Sequence, residues 1–211
     1  SLVVFLSSWK NDFVWDDFLY IHENSHIKSL TLDSLWWMLC HNYDGSWYPL
    51  TLLSHTIDYA LWGESPQRHR LPNIFLHSLN AVCFFYLSIL ILKTANKKPE
   101  AQQTFINVAA GLAALLFAIH PLRVESVIWI AERKDVLCGF FVMLSFIFYL
   151  RYAQETQSRC WYFATLITYI LALMAKPMAV MVPVIFLLFD IFVFYLSAFI
   201  IPHLTDMSKV L

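Results

Sequence analysis

The chain has 211 residues, 59% of them hydrophobic and only 14% charged, with a mean hydropathy of +0.59. Soluble domains carry about 25% charged residues, so this composition argues against an ordinary soluble fold and for a membrane protein. A formal net charge of −1 offers no basic stripe to track phosphates, which excludes nucleic acid as a partner.

Residues 1–8 are apolar but lack the basic leader and small-residue cleavage site of a secretory signal; they read as the remnant of a first membrane span. Residues 9–70 are polar, aromatic and too charged to cross, which predicts a loop on the lumenal or periplasmic side. Two adjacent carboxylates stand near its start, in Trp15-Asp16-Asp17. Acids beside apolar chain are costly to desolvate and tend to be functional. Further on, Leu30 to Leu39 has apolar residues at helical spacing, with Trp36 and Trp37 side by side. That pattern predicts an amphipathic helix lying in the interface, where indole rings settle. Gly45 and Pro49 around Ser46-Trp47-Tyr48 mark a turn, and Trp47 and Tyr48 offer an aromatic face on which a pyranose can stack.

One motif in the loop points elsewhere. His22-Glu23-Asn24-Ser25-His26 matches H-E-x-x-H, the signature of a membrane zinc protease. The motif needs a helix, and Asn24-Ser25 is a poor helix interior. No downstream acid stands ready as a third ligand, so a chance match is the better reading.

Five apolar runs follow, at 71–92, 105–119, 136–150, 160–175 and 178–201. A tilted spanning helix needs roughly 17–25 residues. The expected fold is therefore all-α: a polytopic transmembrane bundle of about five full spans over 71–201, preceded by the span remnant and interfacial helices and followed by a tail, 202–211. His77 and Asn80, three apart, share one face of the first run and should bond within the bundle; His69 and Arg70 sit at its boundary, near a donor or headgroup. Cys40, Cys83, Cys138 and Cys160 show no paired spacing, so neither a disulfide framework nor a metal site follows from them.

Basic residues orient the bundle. Lys93, Lys97 and Lys98 fall in one inward link, and Arg151 and Arg159 in the other, as the positive-inside rule asks. Arg123, Arg133, Lys134 and Lys176 then lie on the outward side, against the rule. Two readings stay open: ion pairing with Glu125, Glu132 and Asp135, or an anionic ligand such as a lipid phosphate, which arginine grips bidentately. Lys176 has no acid nearby in sequence, which favours the ligand.

The outward link runs from His120 to Asp135. Pro121 suits the first turn of a polar helix over 121–135, on which Glu125, Glu132 and Arg133 share one face. Arg123 lies about 160° from Glu132 on that wheel and points elsewhere. His120 caps the helix or bonds across the outward cluster.

These pieces follow one another in a familiar order: Trp15-Asp16-Asp17, Trp47-Tyr48-Pro49-Leu50-Thr51, His69-Arg70-Leu71-Pro72-Asn73 with His77, His120-Pro121 with Glu125-Ser126-Val127, Arg133-Lys134-Asp135 and Ala175-Lys176. Over roughly 10–190 the chain resembles the membrane half of the transmembrane and tetratricopeptide-repeat proteins. These are similar to protein O-mannosyltransferases of the C-type glycosyltransferase fold. The resemblance implies a polyprenyl-phosphate sugar donor, usually dolichyl phosphate mannose, and a serine or threonine hydroxyl on a protein acceptor. It implies a multi-pass protein of the endoplasmic reticulum or a bacterial inner membrane, with the acidic motif following the first span on the outward side.

On that footing the chemistry is inverting displacement at the anomeric carbon. Asp16 would act as general base, and Asp17 would orient the acceptor, hold the proton-accepting geometry or bind a divalent cation. Arg123, Arg133 and Lys176 would stabilise the leaving phosphate; Glu125, His120, Asp135 and His69 would position these groups. Two departures stand out. Relatives have more spans and a repeat array, and after Phe189-Asp190 this chain runs on apolar where a proline and a basic residue are expected, so it reads as a fragment. Pro177 fits bacterial relatives better than animal ones, which usually have glutamate there. The rival class is a non-catalytic scaffold or a transporter-like piece, although transporters gather polar groups near mid-membrane rather than at one surface.

Overall fold

The computed structural model describes residues 2–95, 102–154 and 158–191. Expectations resting on Lys97, Lys98, the stretch 192–201 and the tail 202–211 lie outside these residues. Among the described residues all regular structure is helical, with loops between the helices and an isolated bridge between Tyr43 and Ser46.

The first helix, α1 (Leu2–Phe5), continues into a 3-10 turn over Leu6–Lys10. A π-helical stretch, Phe18–Glu23, and a 3-10 turn, Ser25–Lys28, lead to α2 (Leu32–Cys40), which covers most of the predicted interfacial helix. Thr31 starts α2 by accepting the Ser34 N–H on its hydroxyl. Next is α3 (Pro49–Trp62), with proline in its first turn and Gly63 at φ 62° ending it. This region has its own apolar core. Tyr20, Ile21, Ile27, Met38, Tyr48 and Leu52 close around Ile130 and Ala131 of the later link.

The apolar runs become α4 (Pro66–Ala95), α5 (Gln103–Ile119), α7 (Arg133–Gln154), α8 (Arg159–Ala175) and α9 (Val182–Phe189), with the short α6 (Arg123–Ile128) in the link. Two segments, Pro66–Ala95 and Ile130–Gln154, are long and apolar enough to cross a membrane. At 17 residues each, α5 and α8 run about 26 Å, just short of the roughly 30 Å of hydrocarbon. The structure thus carries two full-length candidate spans and shorter apolar helices where five spans were expected. Buried faces are made of small residues: Ala110, Ala114 and Ala118 recur every four positions on α5, letting it lie close to α4. The opposite face is apolar and exposed, with Phe105 68% and Leu116 65% accessible.

A polar row on α4 organises the rest. His69, Arg70, Asn73, His77 and Asn80 fall on one helical face, and all are buried. Each bonds to a main-chain carbonyl: His69 Nε2 to Gly63, Arg70 Nε to Ile128, Asn73 Nδ2 to Trp129, His77 Nε2 to Ala118 and Asn80 Nδ2 to Val136. Inward bonding by His77 and Asn80 matches the reading of that face from sequence. His69 and Arg70, expected near a donor or headgroup, are instead interior residues.

Candidate functional site

The acidic pair divides its labour. Asp17 is 1% exposed and accepts the Val14 N–H at 3.1 Å and the Ala131 N–H at 2.8 Å. Burial dominates and raises its carboxyl above the ordinary value, against the lowering effect of those two bonds and of Arg70. The turn it closes holds Trp15 at φ 46°, a backbone state rare outside glycine. Asp16, at the next position, is half-buried and has no hydrogen-bond partner among the described residues. It lies near enough to Tyr48 for its charge to add to the burial that raises that phenol.

The link does not form one polar helix over 121–135. Trp129 is extended, at φ −75° and ψ 117°, and separates α6 from a 3-10 turn, Ile130–Glu132, that runs into α7. Tertiary contacts cause the break: the Trp129 carbonyl accepts Asn73 Nδ2, its indole donates to the Val14 carbonyl, and Asp17 takes the Ala131 N–H. Glu125 therefore does not share a continuous face with Glu132 and Arg133. His120 bonds locally, its Nδ1 accepting the Leu122 N–H.

The cations sort into three environments. Arg133 is 1% exposed and bonds Asp58, the Asn73 side chain at 2.8 Å and the His69 carbonyl. Its guanidinium is committed to the interior and ion-paired, with Asp58 rather than with Glu125, Glu132 or Asp135, the neighbours expected from sequence. Lys176 also has acids in space: it pairs with Asp135 and lies 3.8 Å from Glu132, which pairs with Lys134 at 3.1 Å. The argument from sequence isolation of Lys176 therefore falls. Arg123 stays exposed over the Phe117 ring, 4.7 Å from its centroid, with no acidic partner among the described residues.

A cavity of about 320 Å³ opens at the paired lysines, lined by Tyr20, Asp44, Ser46, Tyr48, Glu132, Lys134, Lys176 and Pro177. Tyr48 contributes its edge as a core residue: its hydroxyl lies 2.7 Å from that of Tyr20, and the two rings stack. Trp47, the other aromatic expected to meet a sugar, is half-buried and donates its indole N–H to the Leu39 carbonyl. A second recess of about 180 Å³ holds Asp17, Arg70 and Glu125, and a third of about 570 Å³ holds His120, Leu122 and Arg123 beside Phe117. The Asp16 loop, the link and the start of the Lys176 turn thus meet at one end of the bundle.

The protease motif is not assembled. Asn24 is extended, with ψ 97°, and separates the two histidines into different turns. His22 bonds Glu64 at 2.8 Å, and that bond with one from Lys28 holds the Glu64 carboxyl below its usual range. His26 stacks on Trp37 with centroids 3.8 Å apart.

No family model matches the chain, and no solved structure does. Curated proteins do. The chain is 32% identical over 172 residues to protein O-mannosyl-transferase TMTC4 of Mus musculus, covering 75% of this chain and 23% of that protein. The TMTC4 of Homo sapiens is 30% identical over 212 residues, 92% of this chain and 28% of its own length. The human TMTC3 is 27% identical over 157 residues, 71% and 16% of the two chains. The chain belongs to the TMTC-like family. It spans about a quarter of the length of the two TMTC4 relatives.

Several residues of this TMTC-like chain escaped the sequence reading: Tyr20 and Asp44 of the cavity, and the buried Asp58 with His55 beside it. His55 and Asp58 stand three apart on α3, which signals one helical face, but nothing local ties that face to Arg133, 75 positions away.

Proposed function

We propose that this chain is part of a membrane glycosyltransferase that moves a sugar, mannose in the first instance, from a polyprenyl or dolichyl phosphate to a serine or threonine hydroxyl of a protein. The observation that carries it is an unpartnered carboxylate, Asp16, close enough for its charge to reach Tyr48, which itself lines the cavity of Lys134 and Lys176. The names of the relatives, all protein O-mannosyl-transferases, support the reaction class. A C-type bundle of about five spans in the bilayer is part of the same proposal, supported by the exposed apolar faces of α5, α8 and α9. The membrane is that of the endoplasmic reticulum or a bacterial inner membrane, and the animal relatives favour the former.

In this scheme Asp16 accepts the acceptor hydroxyl's proton as the new bond to the anomeric carbon forms. Asp17 holds the turn that presents Asp16; both its oxygens are engaged by backbone N–H groups. As the lipid phosphate leaves, Lys176 and Lys134 exchange an acidic partner for phosphate oxygens, and Arg123 offers its fork from the neighbouring recess. Each such contact is worth on the order of 2–4 kcal/mol in the transition state. Arg133 acts at a distance, by fixing the start of α7, and His69 with it. Glu125, Asp135 and His120 position the cations, while Trp47 and Tyr48 shape the sugar side. A divalent cation at Asp16 and Asp17 is a poor fit: such ions take six or more oxygens, and one of these two carboxylates is already committed. No step runs through one.

The test is transfer of mannose from dolichyl phosphate mannose to a serine/threonine peptide in membranes expressing the protein, wild type against Asp16→Asn. Loss of roughly 100-fold or more is expected, the scale of general-base catalysis. Undiminished transfer by the variant would remove the mechanism. No transfer by the wild type from any polyprenyl-phosphate sugar would favour the scaffold reading.

A further inference from the structure

The buried polar cluster beneath the outward loop holds a feature that the transfer chemistry does not use. His55 and Asp58, one turn apart on α3, face His69 of α4, and one ligand atom from each lies within 4.8 Å of the other two. All three residues are buried. Both ring nitrogens of His55 and Nδ1 of His69 have no hydrogen-bond partner among the described residues.

The tautomer of His69 sharpens the point. Its Nε2 lies 2.8 Å from the Gly63 carbonyl, which can only accept, so Nε2 carries the proton. In the neutral ring Nδ1 is then a bare lone pair, and it faces Asp58 Oδ2 at 3.8 Å. Arg133 balances the charge of that oxygen, but no donor among the described residues meets the His69 lone pair, which a cation bound between the rings and Asp58 would satisfy. Two ligand atoms on a tetrahedral zinc ion are separated by roughly 3.3 Å, so the three groups, 3.8 Å apart at His69 and Asp58 and within 4.8 Å overall, would draw in by up to about 1.5 Å around the ion.

We propose that His55, Asp58 and His69 bind a borderline divalent transition ion, zinc being the best fit. Two neutral imidazoles and one carboxylate suit zinc, whereas magnesium and calcium prefer all-oxygen sets. The surrounding contacts are those of a built site. The Gly63 carbonyl fixes the His69 ring, and Arg133 anchors the Asp58 carboxylate through Oδ2. Such an ion would tie α3 to α4 and, through Arg133, to the start of α7. Its role is structural and independent of the transferase proposal.

The experiment is metal analysis and thermal unfolding of the detergent-purified protein, using zinc itself as the probe. The wild type should carry about one zinc per chain, as a single mononuclear site requires. A strong chelator should lower its unfolding temperature, and zinc but not magnesium should restore it. His55→Phe should carry no zinc and ignore the chelator, while His22→Ala, which alters the surface motif, should keep the metal. A metal-free wild type indifferent to zinc and chelator would overturn the proposal, leaving a proton or a buried water between the rings. So would a His55→Phe protein that keeps its zinc. Should His55→Phe not fold, chelation and zinc return on the wild type decide alone.

Discussion

Asp17 accepts the Ala131 N–H on Oδ1 at 2.8 Å, joining the acidic loop to a turn 114 residues further along the chain. That bond explains why two adjacent carboxylates behave differently. Asp17→Ala is expected to destabilise the protein by about 2–4 kcal/mol, because it strips two backbone N–H groups of a charged acceptor. Asp16→Ala should change stability by less than about 0.5 kcal/mol. Chemical unfolding of both variants checks the contrast, and equal losses would contradict the division of roles.

The Asp58–Arg133 pair is buried on both sides. Arg133→Lys cannot reproduce a fork that reaches Asp58, Asn73 and the His69 carbonyl together, and should cost about 3–5 kcal/mol, the scale of breaking a buried pair. Expression level and melting temperature report it. A neutral outcome would mean that the guanidinium is not committed to the interior.

Lys176 presents the opposite case. Its pairs with Asp135 and Glu132 are partly exposed, so Lys176→Gln should alter stability by no more than about 1 kcal/mol. The same change should weaken transfer more than tenfold if the lysine meets donor phosphate. Parallel melting and transfer assays separate the two effects.

Acid should loosen the protein at His55. Burial, then the charges of Arg133, His69 and Lys134, hold its imidazole well below the ordinary 6.5. The unfolded chain therefore takes up a proton first as pH falls, so the stability gained from a neutral His55 is complete above 6.5 and lost below it. The slope is about 1.4 kcal/mol per pH unit in that window. His55→Phe should make the pH dependence shallower by that one proton's share, as measured by unfolding between pH 7.5 and 5.5.

Helix α5 offers a packing test. Ala114→Leu, on the small-residue face against α4, should cost about 1–3 kcal/mol by overpacking. Leu116→Ala, on the exposed face, should be close to neutral in detergent.

What could be read from the residues follows physical range. The apolar runs and the amphipathic Leu30 to Leu39 stretch announce α2, α4, α5, α7 and α8 because burial and period are local properties. The break at Trp129 was not legible. Its extended backbone is stabilised by Asn73 and by the Val14 carbonyl, and a helical wheel contains neither. Likewise Lys176 looked isolated because its acid stands 41 positions away, and Arg133 looked exposed because Asp58 lies 75 away. The acidic pair stands out in the sequence, but which member is engaged by the fold depends on a tertiary N–H.

Every side chain of the row on α4 grips a main-chain carbonyl oxygen, whatever else it touches. Every residue type brings the same carbonyl, so the gripped segments can mutate at their own surfaces without loosening the hold. The link held at Ile128 and Trp129 is in that sense an interchangeable insert on a constant fastening, free to change its own side chains while α4 stays as it is.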